Sequence, residues 1–199
     1  MKTRKTSDAD AAAAIRASCK RNWDAFKDDC SGFLKSVANE FLDIVPPGQA
    51  DNIIDFLRIS ADWTRLGTDL AAAAAAAQHA GDGEFVVGGL RGNELNPKKN
   101  NGHVVVVVSG ELVNSKYPHA YWGVLNGVGK KDAGVNWAFN ANDRDRVEYF
   151  ARGIDKIPTI SFVRVKRRTG VRLPRTSRKI LGTDIRSPGK AVRSKPQTG

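Results

Sequence analysis

A chain of 199 residues that is 41% hydrophobic and 27% charged, with 4 Trp and 8 Phe, can bury a sizeable core, which excludes wholesale disorder. Its longest apolar runs, at 70–77 and 104–108, fall far short of the roughly 18 residues that a membrane span needs, and two cysteines cannot hold together a disulfide-built mini-domain. The formal charge of +11 is concentrated: residues 155–199 carry 13 Lys/Arg against two acids, whereas residues 1–154 carry 19 of each.

Residues 1–10 are polar and contain neither the apolar stretch nor the small-residue cleavage site of a secretory signal. The expectation is a protein that stays in the cytoplasm or leaves by a route that reads no such signal. The alanine-rich segment 11–20 predicts a helix. After Asp28 and Asp29, apolar residues at Phe33, Leu34, Val37, Ala38, Phe41 and Leu42 follow the three-and-four spacing of an amphipathic helix that begins at or next to Cys30 and is stopped by Pro46-Pro47-Gly48. Ile53, Ile54, Leu57 and Arg58 predict a further helix. Trp63, Leu66, Leu70, Ala73, Ala74 and Ala77 predict another that ends before Gly81. From Glu84 onward the pattern is β, with runs at 85–90, 102–109, 120–125, 135–139 and 159–165 separated by Gly, Asn, Asp and Pro. Helices first and strands second indicate an α+β domain with an antiparallel sheet, because a parallel sheet needs helices between its strands. Beyond about residue 167 the Arg/Lys/Ser/Pro/Gly mixture predicts a disordered basic tail, so the chain divides into a domain at 1–166 and a tail at 167–199.

The sharpest local feature is Asp29-Cys30-Ser31-Gly32-Phe33, which puts a thiol at a helix start. An ordinary cysteine with a pKa near ~8.5 is mostly protonated at neutral pH, and a helix N-terminus shifts it by at most about 1.5 units. A cationic histidine partner must supply the rest. His103 opens the run 104–108 on what must be a central buried strand, a rigid mount for a general base. His79 closes the alanine-rich helix and reads as a solvated side chain. His119 lies on or just before the next strand. The acidic pairs Asp28/Asp29 and Asp143/Asp145 lack histidines at metal-ligand spacing, so no metal site and no cofactor are expected.

Asp-Cys-Ser-Gly-Phe at a helix start followed by Gly-His-Val-Val-Val-Val-Val on a strand resembles the NlpC/P60 and CHAP group of papain-like cysteine amidases. The stretches 85–90, 117–123 and 135–139 resemble the small cell-wall amidase effectors delivered by type VI secretion, and the likeness covers about residues 18–155. The resemblance implies a papain-like fold with N-terminal helices packed on the sheet. It implies Cys30 as nucleophile, His103 as base, and the Cys30 backbone N–H as one oxyanion donor. It also implies a third polar residue that orients the imidazole: His119 is the candidate, with Asn126, Asn136 and Tyr121 as alternatives. The substrate implied is the peptide of peptidoglycan, cut at a γ-D-glutamyl–diaminopimelate or D-alanyl–diaminopimelate bond. Secretion machinery, action in a competitor's periplasm and an immunity protein that plugs the site follow from the same likeness. The 73-residue spacing from Cys30 to His103 predicts that helical material at 50–80 walls the cleft. The basic tail adds an expected contact with a polyanion that weakens with salt. In a rival reading that tail is the working part of a nucleic-acid-binding protein and the Cys/His pair is inert.

Overall fold

The computed structural model describes residues 7–158. Three helices lead the chain: α1 (Asp8–Phe26), α2 (Cys30–Phe41) and α3 (Ala50–Ile59). The start of α1 is fixed by a reciprocal cap, in which Ser7 Oγ accepts from the Asp10 N–H at 3.2 Å and the Asp10 carboxylate accepts from the Ser7 N–H. At α2 the Asp29 carboxylate accepts the Gly32 N–H at 2.9 Å, which makes Cys30 the first helical residue, as the sequence predicts. Phe33, Leu34, Val37, Ala38 and Phe41 are wholly buried, as the periodicity requires.

An antiparallel six-stranded sheet follows, in the order β1-β6-β2-β3-β4-β5, from β1 (Thr64–Gly67), β2 (Phe85–Leu90), β3 (His103–Val113), β4 (Tyr117–Trp122), β5 (Lys130–Gly134) and β6 (Glu148–Arg152). Helix α4 (Leu70–Gly81) lies on the other face. Covering both faces accounts for the unbroken apolar run in β3: Val104, Val106 and Val108 join the core under α1–α3, while Val105 and Val107 join the core shared with the alanines of α4. The α+β reading with helices on an antiparallel sheet therefore holds.

Several predicted boundaries differ. Trp63 and Leu66 do not start the alanine-rich helix. Residues 64–67 form an edge strand, and Asp69 caps α4 by accepting the Ala72 N–H at 2.8 Å. The expected strand at 135–139 is one tight helical turn at Val135–Trp137, and Trp137 is 65% exposed. The strand expected at 120–125 occupies Tyr117–Trp122, and the one expected at 159–165 lies outside the described residues, as does the tail.

The loop between α1 and α2 is tied to the end of β4. Trp23 Nε1 donates to Trp122 O at 2.9 Å, and Lys27 O accepts from the Val124 N–H at 3.1 Å and the Gly129 N–H at 2.8 Å. Gly123 sits at this crossing, where a Cβ would lie 2.1 Å from Phe26 O and 2.7 Å from the Asp29 backbone. No side-chain rotation relieves a clash with backbone. Gly123→Ala is therefore expected to lower stability by about 1–3 kcal/mol or more, read as a lower urea midpoint, and to reduce activity because the displaced loop carries Cys30.

Candidate active site

The start of α2 and the start of β3 meet at a cleft of about 270 Å³ lined by Cys30 and His103, together with the loop before β3 (Leu95, Lys99 to Gly102), the segment after β4 (Val124, Leu125) and residues 138–140 and 143. Cys30 is 8% exposed. Its sulfur faces Ser31 Oγ at 3.9 Å, and the amide N–H groups of Val104 and Ser31 are directed at it. The Val104 contact brings the thiol to the residue next to His103. Burial pushes the Cys30 thiol up, and the Asp29 carboxylate acts in the same direction against the stabilising N–H groups. The other thiol, Cys19, is fully buried, and burial pushes its pKa up as well. Cys19 and Cys30 are both free thiols.

The His103 ring packs edge to face on Phe139, with centroids 5.2 Å apart. Its Nε2 is buried without a hydrogen-bond partner. Burial holds the His103 pKa down at about 4, and the charge of Lys99 acts in the same direction. Burial thus favours the neutral form of both the Cys30 thiol and the His103 imidazole.

The structure brings Cys30 and His103 together and leaves the other predicted histidine elsewhere. His119 pairs across the sheet with Val108, five residues along β3 from His103, and its Nδ1 lies 3.0 Å from Asp132 Oδ1. At a strand rise of about 3.3 Å per residue it is too far along the sheet to orient the imidazole. The alternatives do not reach either. Tyr121 faces the core under α1–α3, Asn126 is exposed at a positive φ of 61°, and Asn136 is outside the cleft lining. The ring contact of His103 is Phe139. His79 is bonded to Glu84 at 3.0 Å, away from the cleft. Residues 50–81 contribute nothing to the lining, so the predicted helical wall is replaced by the loops at 95–103 and 138–143.

Two residues that the sequence reading did not single out as site residues support these loops. Asp51, in the first turn of α3, accepts the Gly92 N–H at 2.9 Å and the Gly102 N–H at 2.8 Å through one carboxylate oxygen, clamping both ends of the loop that leads to His103. A Cβ on Gly102 would lie 2.4 Å from that oxygen, so only glycine fits. Asp143, fully buried, accepts the Asn96 N–H at 3.0 Å and Asn140 Nδ2 at 2.8 Å, joining the two loops that wall the cleft. Neither role has a local sequence signature, since each is made by contacts more than 40 residues apart or across loops. Asp51→Ala leaves two amides without their charged acceptor. It is expected to lower kcat/KM about tenfold or more, with a fall in melting temperature, measured by hydrolysis assays and thermal denaturation.

Fold and cleft together define an α+β protein with a cysteine–histidine pair at a helix start and a strand start. No family model matches the chain. The chain is 40% identical over 144 residues to peptidoglycan amidase Tse1 of Pseudomonas aeruginosa, an alignment that covers 66% of this chain and 84% of that protein. The chain belongs to the family of that amidase.

Proposed function

We propose that this protein is a peptidoglycan amidase that hydrolyses a peptide amide bond through Cys30 and His103. The observation that carries the reading is the thiol at the first residue of α2, with the Val104 and Ser31 amides on its sulfur, sharing one cleft with a strand-borne imidazole. Family membership with an enzyme named as a peptidoglycan amidase supports the substrate.

Catalysis starts from the neutral pair. As Cys30 Sγ attacks the scissile carbonyl carbon, an imidazole nitrogen of His103 takes the thiol proton. The oxyanion forms beside the first turn of α2, where Asp29 holds the Gly32 N–H and the Cys30 N–H is one donor to it. The imidazolium then gives its proton to the leaving amine as the C–N bond breaks, leaving a thioester. Water attacks the thioester, His103 accepts its proton, and the thiol is restored as the carboxylic acid departs.

The bond is the γ-D-glutamyl–diaminopimelate amide or the D-alanyl–diaminopimelate cross-link. The amidase domain is 1–166, and the basic tail at 167–199 contacts a polyanion. The protein acts as an antibacterial effector exported by a dedicated machine to a target periplasm, and an immunity protein blocks the cleft. Digesting purified sacculi with wild-type protein and resolving the fragments by mass tests the reading. New peptide termini at one amide identify the bond. Intact stems after prolonged digestion remove the proposal.

A further inference from the structure

The cleft contains a cation that the thiol chemistry does not use. Lys99 lines it beside Asn100, Asn101 and Asn140. Its backbone is anchored, with the Lys99 N–H donating to Gly92 O at 2.8 Å inside the loop that Asp51 clamps, while the side chain is exposed. One carboxylate shares the lining, Asp143, and it is already engaged by Asn96, Asn140 and Arg146. Nearby cations are neutralised differently: Arg58 by Glu94 and Glu148, Arg65 by Glu148, and Arg91 by Asp55. Lys99 has no ion pair among the described residues. An unpaired ammonium beside a general base works against that base in the empty enzyme, and it becomes useful only when an anion arrives.

We propose that Lys99 binds a free carboxylate of the peptide substrate next to the scissile amide and so selects which amides enter the cleft. This rests on the amidase reading, which supplies the peptide. Either amide proposed above has such a group close by, because a γ-glutamyl residue keeps its α-carboxylate and, in a cross-link, diaminopimelate keeps the carboxylate on the carbon that bears the acylated amine. An internal α-peptide bond between neutral residues has none. The asparagines on the same rim supply amide donors and acceptors around the bound group. The bound carboxylate also cancels the lysine's repulsion of the imidazolium, so His103 becomes a better base when substrate is present. The charged and titratable groups facing His103 are Cys30 from α2, Lys99 from its own loop and Asp143 from the opposite wall. Asp51 of α3 stands behind Gly102.

The test is a cycle of enzyme and substrate changes using the full chain and a synthetic stem peptide, with each free carboxylate converted in turn to the carboxamide. Lys99→Gln is expected to raise KM about ten- to hundredfold on the carboxylate peptide, Lys99→Glu more, and Lys99→Arg to recover most of the loss. Amidating the recognised carboxylate is expected to cost wild type a similar factor and Lys99→Gln little further. The acid limb of kcat/KM for Lys99→Gln is expected at higher pH than in wild type, since removing the cation raises the His103 pKa. If KM for Lys99→Gln and Lys99→Glu stays within about twofold of wild type, or if the two losses multiply, the carboxylate role is overturned while the amidase reading stands. If wild type cuts neither peptide nor sacculi, the amidase reading falls and this proposal falls with it.

Discussion

Cys30→Ala is expected to reduce hydrolysis of sacculi by about 10⁴-fold or more while leaving the fold in place. The loss is large because no other thiol or hydroxyl lines the cleft among the described residues: Ser31 is 2% exposed, and Cys19 is buried in the core under α1–α3. The structural cost is small because the change removes one sulfur atom at the mouth of a helix, about 1 kcal/mol, so the melting temperature should move by a few degrees at most. Cys30→Ser separates the chemistry further. It keeps the shape of the side chain, but its hydroxyl is a far weaker acid than the thiol, so activity should still fall by orders of magnitude. The resting state of the pair makes a second measurable statement. Because burial pushes the thiol up, Cys30 should react with iodoacetamide at neutral pH at the slow rate of an ordinary thiol and accelerate as pH rises. One cysteine per native chain should be labelled, since Cys19 is sealed. Cleavage by Cys30→Ala at the wild-type rate, or an already fast alkylation at neutral pH, contradicts this account.

The meeting of Cys30 and His103 at one cleft is legible in the sequence because both stand at element boundaries with strong local signals. The Asp29 cap and the Phe33 to Phe41 periodicity fix where α2 begins, and the valine run fixes where β3 is buried. The rest of the site is set by contacts that no local pattern carries. Asp51 is an ordinary acid in a first helical turn until α3 folds against the ends of β2 and β3. Lys99 is one lysine in a polar loop until that loop is anchored over His103. His119 looks like a neighbour of the dyad on an adjacent strand, but antiparallel register puts it opposite Val108, where it bonds Asp132. The strands missed by the sequence reading have the same kind of cause. In β5 the run Lys130, Lys131 and Asp132 is an exposed sheet edge with no apolar alternation to detect, and β6 is five residues long between turns. At 135–139, Val, Trp and Phe imitate a strand, but Gly134 and Asn136 begin a tight turn that leaves Trp137 outside.

His103→Ala is expected to lower kcat/KM by about 10²–10⁴-fold, less than loss of the sulfur, because Cys30 can still lose its proton to hydroxide or buffer. Activity of this variant should therefore rise with pH where wild type is flat, and added imidazole should restore part of it. In wild type the base must be unprotonated, and with the His103 pKa at about 4 the acid limb of kcat/KM should lie well below the ordinary histidine value of 6.5. The neutral starting pair also requires the thiol proton to move during attack, so acylation should be slower in deuterium oxide. Stability follows the same linkage. The folded state holds His103 neutral, so the unfolded chain binds more protons between pH 6.5 and about 4. The contribution of His103 is fully present above pH 6.5 and is lost as the pH falls toward 4. In His103→Gln, which keeps a polar side chain at the strand start without a titrating ring, that component of the acid destabilisation should disappear from urea titrations taken across the window. Equal acid sensitivity in wild type and His103→Gln means that the ring is not held neutral. The first step of the proposed mechanism would then begin from a charged pair instead.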